Sequence, residues 1–478
     1  MDFPMKIAWL ALLALVLCPI ASLAADTAAG PSRPNFVVIL IDDMGYGDIG
    51  PFGSKLNRTP CLDRMAAEGM KLTSFYAAPV CTPSRAQMMT GCYAKRVSLP
   101  NVLGPVSRIG ISSSERTVAD LLKQQGYVTM CVGKWHLGDQ PAFLPTGHGF
   151  DHYLGLPYSN DMGGSGQPGD RRPPVPLLRD QRVVEAPAKQ DKLVERYTEE
   201  AVKFITANKD RHFFLYLPHT AVHVPIHPGK GFQGKSANGR YGDWVEEVDW
   251  STGRVLDTLR KLKLDARTLV IFTSDNGPWR SKGKDGGVAG PLRGGKTSTW
   301  EGGVREPTIA WWPGRIRTGS ACDAMMSEMD VLPTLVKLAG GAVPTDRPID
   351  GKDIWLLLSG ESRQSPHEAL FYFKGDRLEA VRSGAWKVAI VEQIENGVDK
   401  EKKPSTKPFT PKLFNLDADI GETTDVAAQH HDVVKRLRGY IRQMDRDLGA
   451  TGRGPGVRLS GVVDQPQPLL LRNAMEYD

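Results

Sequence analysis

Residues 35–41, Asn-Phe-Val-Val-Ile-Leu-Ile, leave this chain little choice of architecture. A continuous apolar run rich in β-branched residues reads as a strand covered on both faces, the habit of a parallel sheet. Comparable runs cover Tyr127 to Val132, Phe213 to Leu217 and Thr268 to Thr273, with a further apolar piece at Thr308 to Trp312. Helical stretches stand between them, near Cys61 to Gly69, Thr117 to Gln125 (closed by Gly126), Lys192 to Asn208, Tyr241 to Leu262 and Met329 to Ala339. Strands alternating with helices predict an α/β fold with a parallel core.

The character changes after about Pro366. Leu370 to Lys374, Leu378 to Ser383, Trp386 to Val391 and Leu413 to Leu416 read as short strands close in sequence, followed by a helix over His431 to Leu448. They predict a small antiparallel sheet with one packed helix. A chain of 478 residues accommodates such a second domain beside a larger one. The segment from Met162 to about Lys192 is rich in Gly, Pro and charge without a period, and reads as a long surface excursion. The tail from Ala450 is punctuated by Gly and Pro and is weakly determined. There is no internal repeat.

At the N-terminus Lys6 precedes the apolar run Ile7 to Leu17, and the small residues Ala21-Ser22-Leu23-Ala24-Ala25 follow. This is the pattern of a secretory signal peptide cleaved after Ala24, too short to span a bilayer. No later segment reads as a membrane span, so an exported, soluble protein is expected. Beyond Cys18 the cysteines are Cys61, Cys81, Cys92, Cys131 and Cys322. Export would permit disulfides among them, in a pairing the sequence does not choose. Cys131, inside an apolar run, reads as a buried thiol. The net charge of +6 suits an anionic substrate only weakly, and nothing points to nucleic acid.

Four of the apolar runs end in chemistry. Asp42 and Asp43 follow the first, Lys134 and His136 another, His219 and His223 a third, Asp275 and Asn276 a fourth. Open α/β sheets bind ligands outside the carboxyl ends of their strands. Any one pair could be a solvated loop; four together point to a site. Asp42, Asp43, Asp275 and Asn276 are hard oxygen donors, and adjacent carboxylates after a buried strand repel each other unless a cation joins them. The set suits Ca²⁺ or Mg²⁺ rather than a soft metal. Arg85, Lys134, His136, His223 and Lys296 supply positive charge and proton donors, an anion clamp able to stabilise a leaving oxygen.

The remaining stretch is Cys81-Thr82-Pro83-Ser84-Arg85, closed by Thr90-Gly91. It predicts a helix with Thr82 as N-cap, Pro83 at the first helical position and Gly91 at the end. Cys81 then sits where backbone N–H groups and the helix dipole favour negative charge. Alone, such a cysteine reads as a structural thiol. In the full pattern C-T-P-S-R-x-x-x-x-T-G it resembles the signature of the sulfatase family. The resemblance extends through Gly133-Lys134-Trp135-His136-Leu137-Gly138, Pro157-Tyr158-Ser159-Asn160-Asp161, Thr273-Ser274-Asp275-Asn276-Gly277, Pro291-Leu292-Arg293-Gly294-Gly295-Lys296 and Glu301-Gly302-Gly303. Leu413-Phe414-Asn415-Leu416 and Gly421-Glu422-Thr423 extend it towards the C-terminus, and the likeness, from about Pro34 to Leu448, is to the arylsulfatase A type.

That resemblance implies an alkaline phosphatase-like fold, a large mixed and mainly parallel sheet sandwiched by helices, with residues 33–365 as catalytic domain. Residues 366–449 would form the small α+β domain, 450–478 a tail and 1–24 the signal peptide. It implies that Cys81 is converted by a maturation enzyme to formylglycine, whose hydrate attacks the sulfur of a sulfated small molecule or glycan. Asp42, Asp43, Asp275, Asn276 and the modified residue 81 would hold Ca²⁺. Arg85 and Lys134 would steady the hydrate, Ser159 would touch the sulfate, and His223 and Lys296 would assist the leaving alcohol. His136 would take the proton that lets sulfate depart. His219 is left as a possible rim residue. The alternatives are a phosphate or phosphonate ester hydrolase of the same superfamily and a non-catalytic module binding sulfated glycans. Export would place the mature protein in a periplasmic, lysosomal-type or extracellular compartment.

Overall fold

An eleven-stranded sheet forms the body of the molecule. At its centre Asn35–Ile41 pairs in parallel with Phe213–Pro218 on one side and Thr268–Ser274 on the other, and all seven of its residues are buried. Beyond Phe213–Pro218 lie Val128–Val132 and His152–Gly155, both parallel. Beyond Thr268–Ser274 lies Arg305–Trp311, antiparallel, then Met70–Tyr76, antiparallel to that and so restored to the common direction. Ser320–Cys322 and Met326–Ser327 pair in parallel with Met70–Tyr76. The sheet is therefore mixed and mainly parallel. The computed structural model describes residues 1–2, 33–164, 172–393 and 409–470. Residues 3–24 of the expected signal peptide fall outside these.

Helices cover both faces. Pro60–Glu68, Leu193–Ala207 and Gly239–Lys261 pack together as one group. Cys81–Thr90, Val118–Gln124 and Val331–Leu338 form the other. The amphipathic logic is plain in Leu193–Ala207, which buries Leu193, Val194, Tyr197, Ala201, Phe204 and Ile205, a stripe at helical spacing. Thr117 caps Val118–Gln124 in a capping box, its hydroxyl accepting the Asp120 N–H while Asp120 accepts the Thr117 N–H.

The C-terminal region is a four-stranded antiparallel sheet in the order Leu370–Lys374, Arg377–Ser383, Trp386–Ala389, Lys412–Asn415. The helix His431–Asp447 closes it around Val381, Val388, Leu413, Val433 and Leu437.

Several expectations need correction. The stretch Met162 to Lys192 is not only a surface excursion. Leu177–Arg179 and Arg182–Glu185 form a hairpin that extends the large sheet, with Leu177 and Leu178 fully buried. Strands of three and four residues are too short to display a period. The N-cap of the Cys81 helix is Val80, so Cys81 is its first residue. Thr82 spends its hydroxyl on tertiary contacts, donating to the His136 carbonyl and accepting the Leu103 N–H. Pro83 remains compatible because it still lies among the first-turn positions whose N–H has no helical partner. Gly91 ends the helix as expected, left-handed at φ 66°. The tail is anchored: Gly461–Val462 pairs with Ile109–Gly110, and the Arg458 guanidinium holds Glu115 at 2.7 Å. The five described cysteines are all free thiols, Cys131 among the buried ones.

Candidate active site

Because the central strands run in one direction, their carboxyl ends share one edge of the sheet. Asp42 and Asp43 leave Asn35–Ile41 there, Asp275 and Asn276 leave Thr268–Ser274, and Lys134 leaves Val128–Val132. Met70–Tyr76, running the same way, delivers Cys81 to the same edge. Gly133 makes the junction between two strand ends possible: at φ 135°, an added Cβ would lie 1.8 Å from the Pro218 carbonyl oxygen. That carbonyl accepts the Lys134 N–H at 2.7 Å.

The charged side chains interlock. Arg85 reaches from the second turn of the Cys81 helix. Its Nε and one terminal nitrogen donate to Asp275 Oδ2 at 3.0 and 2.8 Å. The other terminal nitrogen donates to the Lys134 carbonyl. Lys134 Nζ pairs with Asp42 Oδ2. Lys296 Nζ donates to both oxygens of Asp43, at 2.6 and 2.8 Å. Asn276 Nδ2 donates to Asp43 Oδ1 at 2.7 Å, and the Asp43 N–H donates to Asp275 Oδ1 at 3.2 Å. His223 Nε2 lies 3.6 Å from Asp43 Oδ2. All of these residues are buried. Asp43 and His136 hold left-handed backbone, both at φ 63°, a conformation that surrounding structure must enforce.

Electrostatics divide the carboxylates. Burial opposes charge on Asp42, but Lys134, His223, Arg85 and Lys296 outweigh it and hold the carboxyl far below the usual range. Burial and the Asp42 charge push Asp275 upward. Burial also raises the Cys81 thiol, against Lys134 and Lys296, which favour the thiolate. His136 is driven well below its ordinary value by burial and then by Lys134 and Arg85, so the ring is neutral. Its Nε2 lies 2.8 Å from the Leu103 carbonyl, which only an N–H can satisfy, leaving Nδ1 as a buried lone pair without a hydrogen-bond partner.

Asp42 Oδ1 and Asn276 Oδ1 are likewise buried without a hydrogen-bond partner. Among the described residues, Asp42, Asp43 and His223 each offer a metal-ligand atom within 4.8 Å of the others. His223 thus offers an imidazole nitrogen to the same group as the two carboxylates. Ser159 is buried with an unpartnered hydroxyl, two residues past Pro157, whose carbonyl accepts the His136 N–H. His219 faces elsewhere: its Nε2 meets Ser251 Oγ at 3.1 Å beneath the Gly239–Lys261 helix, and burial lowers it to about 3. It is a core histidine, not a rim residue.

A second buried charge cluster lies between the two sheets. Glu301 accepts the Tyr76 hydroxyl at 2.6 Å and Lys387 Nζ at 3.0 Å. Lys387 also pairs with Glu422 at 2.8 Å, and Glu422 accepts the Glu301 N–H at 2.7 Å. Sequence marked Glu301 and Glu422 as motif residues without a role. The sequence reading missed Trp279, half-buried beside His223 and Lys296. A lone tryptophan in a Gly-Pro turn has no periodicity to announce it.

Comparison with known proteins agrees with this geometry. The Sulfatase family model matches residues 34–342, and the model for the C-terminal region of aryl-sulfatase matches residues 365–453. N-acetylgalactosamine-6-sulfatase of Canis lupus familiaris is 38% identical over 480 residues, covering 91% of this chain and 90% of the relative. Arylsulfatase A of Bos taurus is 38% identical over 455 residues, covering 89% of each. The crystal structure of PsFucS1 sulfatase from Pseudoalteromonas sp. superposes with a TM-score of 0.80 at 26% identity, covering 90% of this chain and 92% of that one. The chain belongs to the sulfatase family and is a sulfuric ester hydrolase.

Proposed function

We propose that the protein is an exported sulfatase that acts through formylglycine made from Cys81, with Ca²⁺ held by Asp42, Asp43, Asp275, Asn276 and the modified residue 81. Residues 33–365 form the catalytic domain of this reading and 366–449 the small C-terminal domain. One observation carries it: Arg85, on the Cys81 helix, forks onto Asp275 while also holding the carbonyl of Lys134. The cysteine is thereby tied to both the carboxylate cluster and the cationic clamp.

The donor set suits a hard cation, and the two orphan oxygens, Asp42 Oδ1 and Asn276 Oδ1, are the kind of ligand atom it would take. When bound, Ca²⁺ supplies positive charge that favours an ionised nucleophile and offsets charge on the sulfate oxygens. An aldehyde hydrate at residue 81 supplies two hydroxyls on one carbon, one to attack sulfur and one through which carbon–oxygen cleavage later releases sulfate. The chain's own groups do the rest. Arg85 and Lys134 orient the oxygens at position 81 and balance the anion. Ser159 offers its unpartnered hydroxyl to a sulfate oxygen. Lys296, with two ammonium protons on Asp43, has a third for the departing alcohol oxygen, and His223 Nε2 stands beside it. His136 Nδ1, a lone pair on a neutral ring, takes the proton of the second hydroxyl.

The relatives' names point to sulfated sugars and aryl sulfates as the substrate class. The test has two arms. In protein from its native producer, the tryptic peptide Leu72–Arg85 carries the aldehyde in place of the thiol; a fully matured protein with unmodified Cys81 would sink the formylglycine step. The same protein turns over 4-nitrophenyl sulfate far faster than 4-nitrophenyl phosphate; the reverse order would make it a phosphate ester hydrolase.

A further inference from the structure

We propose that Trp279 is a positioning residue that holds Lys296 and His223 against the departing alcohol oxygen, an inference that rests on the sulfatase reading above. Trp279 stands just past Asn276-Gly277-Pro278 and is half-buried. Lys296 Nζ lies 4.5 Å from its ring centroid. The His223 ring packs against it with centroids 5.4 Å apart and planes inclined by 57°. One indole therefore touches both groups assigned to the leaving oxygen. The exposed Lys282 places its ammonium 4.4 Å from the same ring.

The backbone fixes this bracket. The Lys296 N–H donates to the Pro278 carbonyl at 2.9 Å, so ring and ammonium hang from two hydrogen-bonded segments. An aromatic face attracts an ammonium through its quadrupole. It does so without the lone pair of a carboxylate or carbonyl. Asp43 takes two of the Lys296 protons, and Trp279 restrains the ammonium while leaving the third for the substrate. Against His223 the same ring limits rotation of the imidazole: its Nδ1–H donates to the Val224 carbonyl, so it is the protonated ring, held beside Asp43, that has an Nε2 proton for the departing oxygen.

The role predicts dependence on the leaving group. A nitrophenolate departs well without a proton, whereas a sugar alkoxide does not, so loss of positioning should be felt mainly on sugar sulfates. Trp279→Ala, Trp279→Leu and Trp279→Phe are compared by kcat and KM on N-acetylgalactosamine 6-sulfate and on 4-nitrophenyl sulfate. The Ala and Leu variants should lose about tenfold in kcat on the sugar sulfate and no more than about threefold on the aryl sulfate, with KM nearly constant. Phe, which keeps a π face, should recover most of the loss. Equal losses on both substrates, a loss confined to KM, or recovery by Leu as complete as by Phe would each overturn the role; Leu restores bulk without the quadrupole. Wild-type turnover of 4-nitrophenyl sulfate bears on the sulfatase reading, and the ratio between substrates in the variants bears on Trp279, so the two can fail separately.

Discussion

Two clusters of buried charge lie at opposite ends of one short segment, residues 296–301, and they are built on different principles. Around Asp42, Asp43 and Asp275, carboxylates crowd together, and oxygens of Asp42 and Asn276 are left without hydrogen-bond partners. Around Glu301, Lys387 and Glu422, donors and acceptors close on one another: Tyr76, Tyr372, Arg305 and the Thr299 carbonyl complete the set. The first arrangement keeps capacity for something the chain does not itself supply. The second spends its polarity on joining the large sheet to the C-terminal sheet. Buried ion pairs rarely add net stability over apolar packing, yet removing one partner is strongly destabilising. Buried charge alone therefore does not mark a site.

The sharpest way to separate the two is to remove the centre of each. Cys81→Ala should lower kcat roughly 10⁴- to 10⁶-fold, the scale for a lost nucleophile, with the urea midpoint almost unchanged. An active alanine variant would remove Cys81 from the mechanism. Lys387→Met should do the opposite. It leaves Glu422 without its cation and Glu301 with only Arg305 and Arg382, and should cost about 3–5 kcal/mol of unfolding free energy, read from urea titration, while KM of the folded fraction holds. A next, smaller effect tests the unspent oxygens. Adding Ca²⁺ at about a hundred times its Kd should raise stability by roughly 2.7 kcal/mol, and Asp42→Asn together with Asn276→Ala should abolish that gain while Lys387→Met leaves it intact.

The last effect is a pH dependence, small over any one pH unit. Burial, only partly offset by Lys387, raises the Glu422 carboxyl to about 7. Between the ordinary carboxylate value and 7 the native state then holds a proton that the unfolded chain has lost, so stability falls as pH rises through that window. The slope is at most about 1.4 kcal/mol per pH unit for this one group. Glu422→Gln should flatten it, as measured by urea midpoints at a series of pH values. An unchanged slope would place the titration elsewhere.

Asp42, Asp43, Lys134, Asp275 and Asn276 were legible from sequence because each closely follows an apolar run, and a parallel sheet gathers such positions at one edge; Arg85, inside a helix, and Lys296, in a Gly-rich loop, stand outside that rule. What was not legible depended on partners remote in the chain. Glu301 meets Lys387 and Glu422 across 86 and 121 residues, a pairing no local pattern carries. Thr82 looked like a cap because Thr before Pro usually is one, but His136 and Leu103 claim its hydroxyl. The hairpin over residues 177–185 was lost among the prolines that precede it. His219 and His223 share one short stretch and could not be told apart by type. Only the turn between them sends one to Ser251 and the other to Asp43.

The six-residue span from Lys296 to Glu301 also bears on how defective variants are read. Lys296 reaches the leaving oxygen of the proposed reaction, and Glu301 is gripped by the far sheet through Lys387. A missense change at Lys387 or Glu422 would thus surface in a screen as lost turnover, although neither residue approaches substrate. Such lesions are the ones a stabilising small molecule could rescue, whereas a lesion at Lys296 itself would stay silent to any amount of refolding.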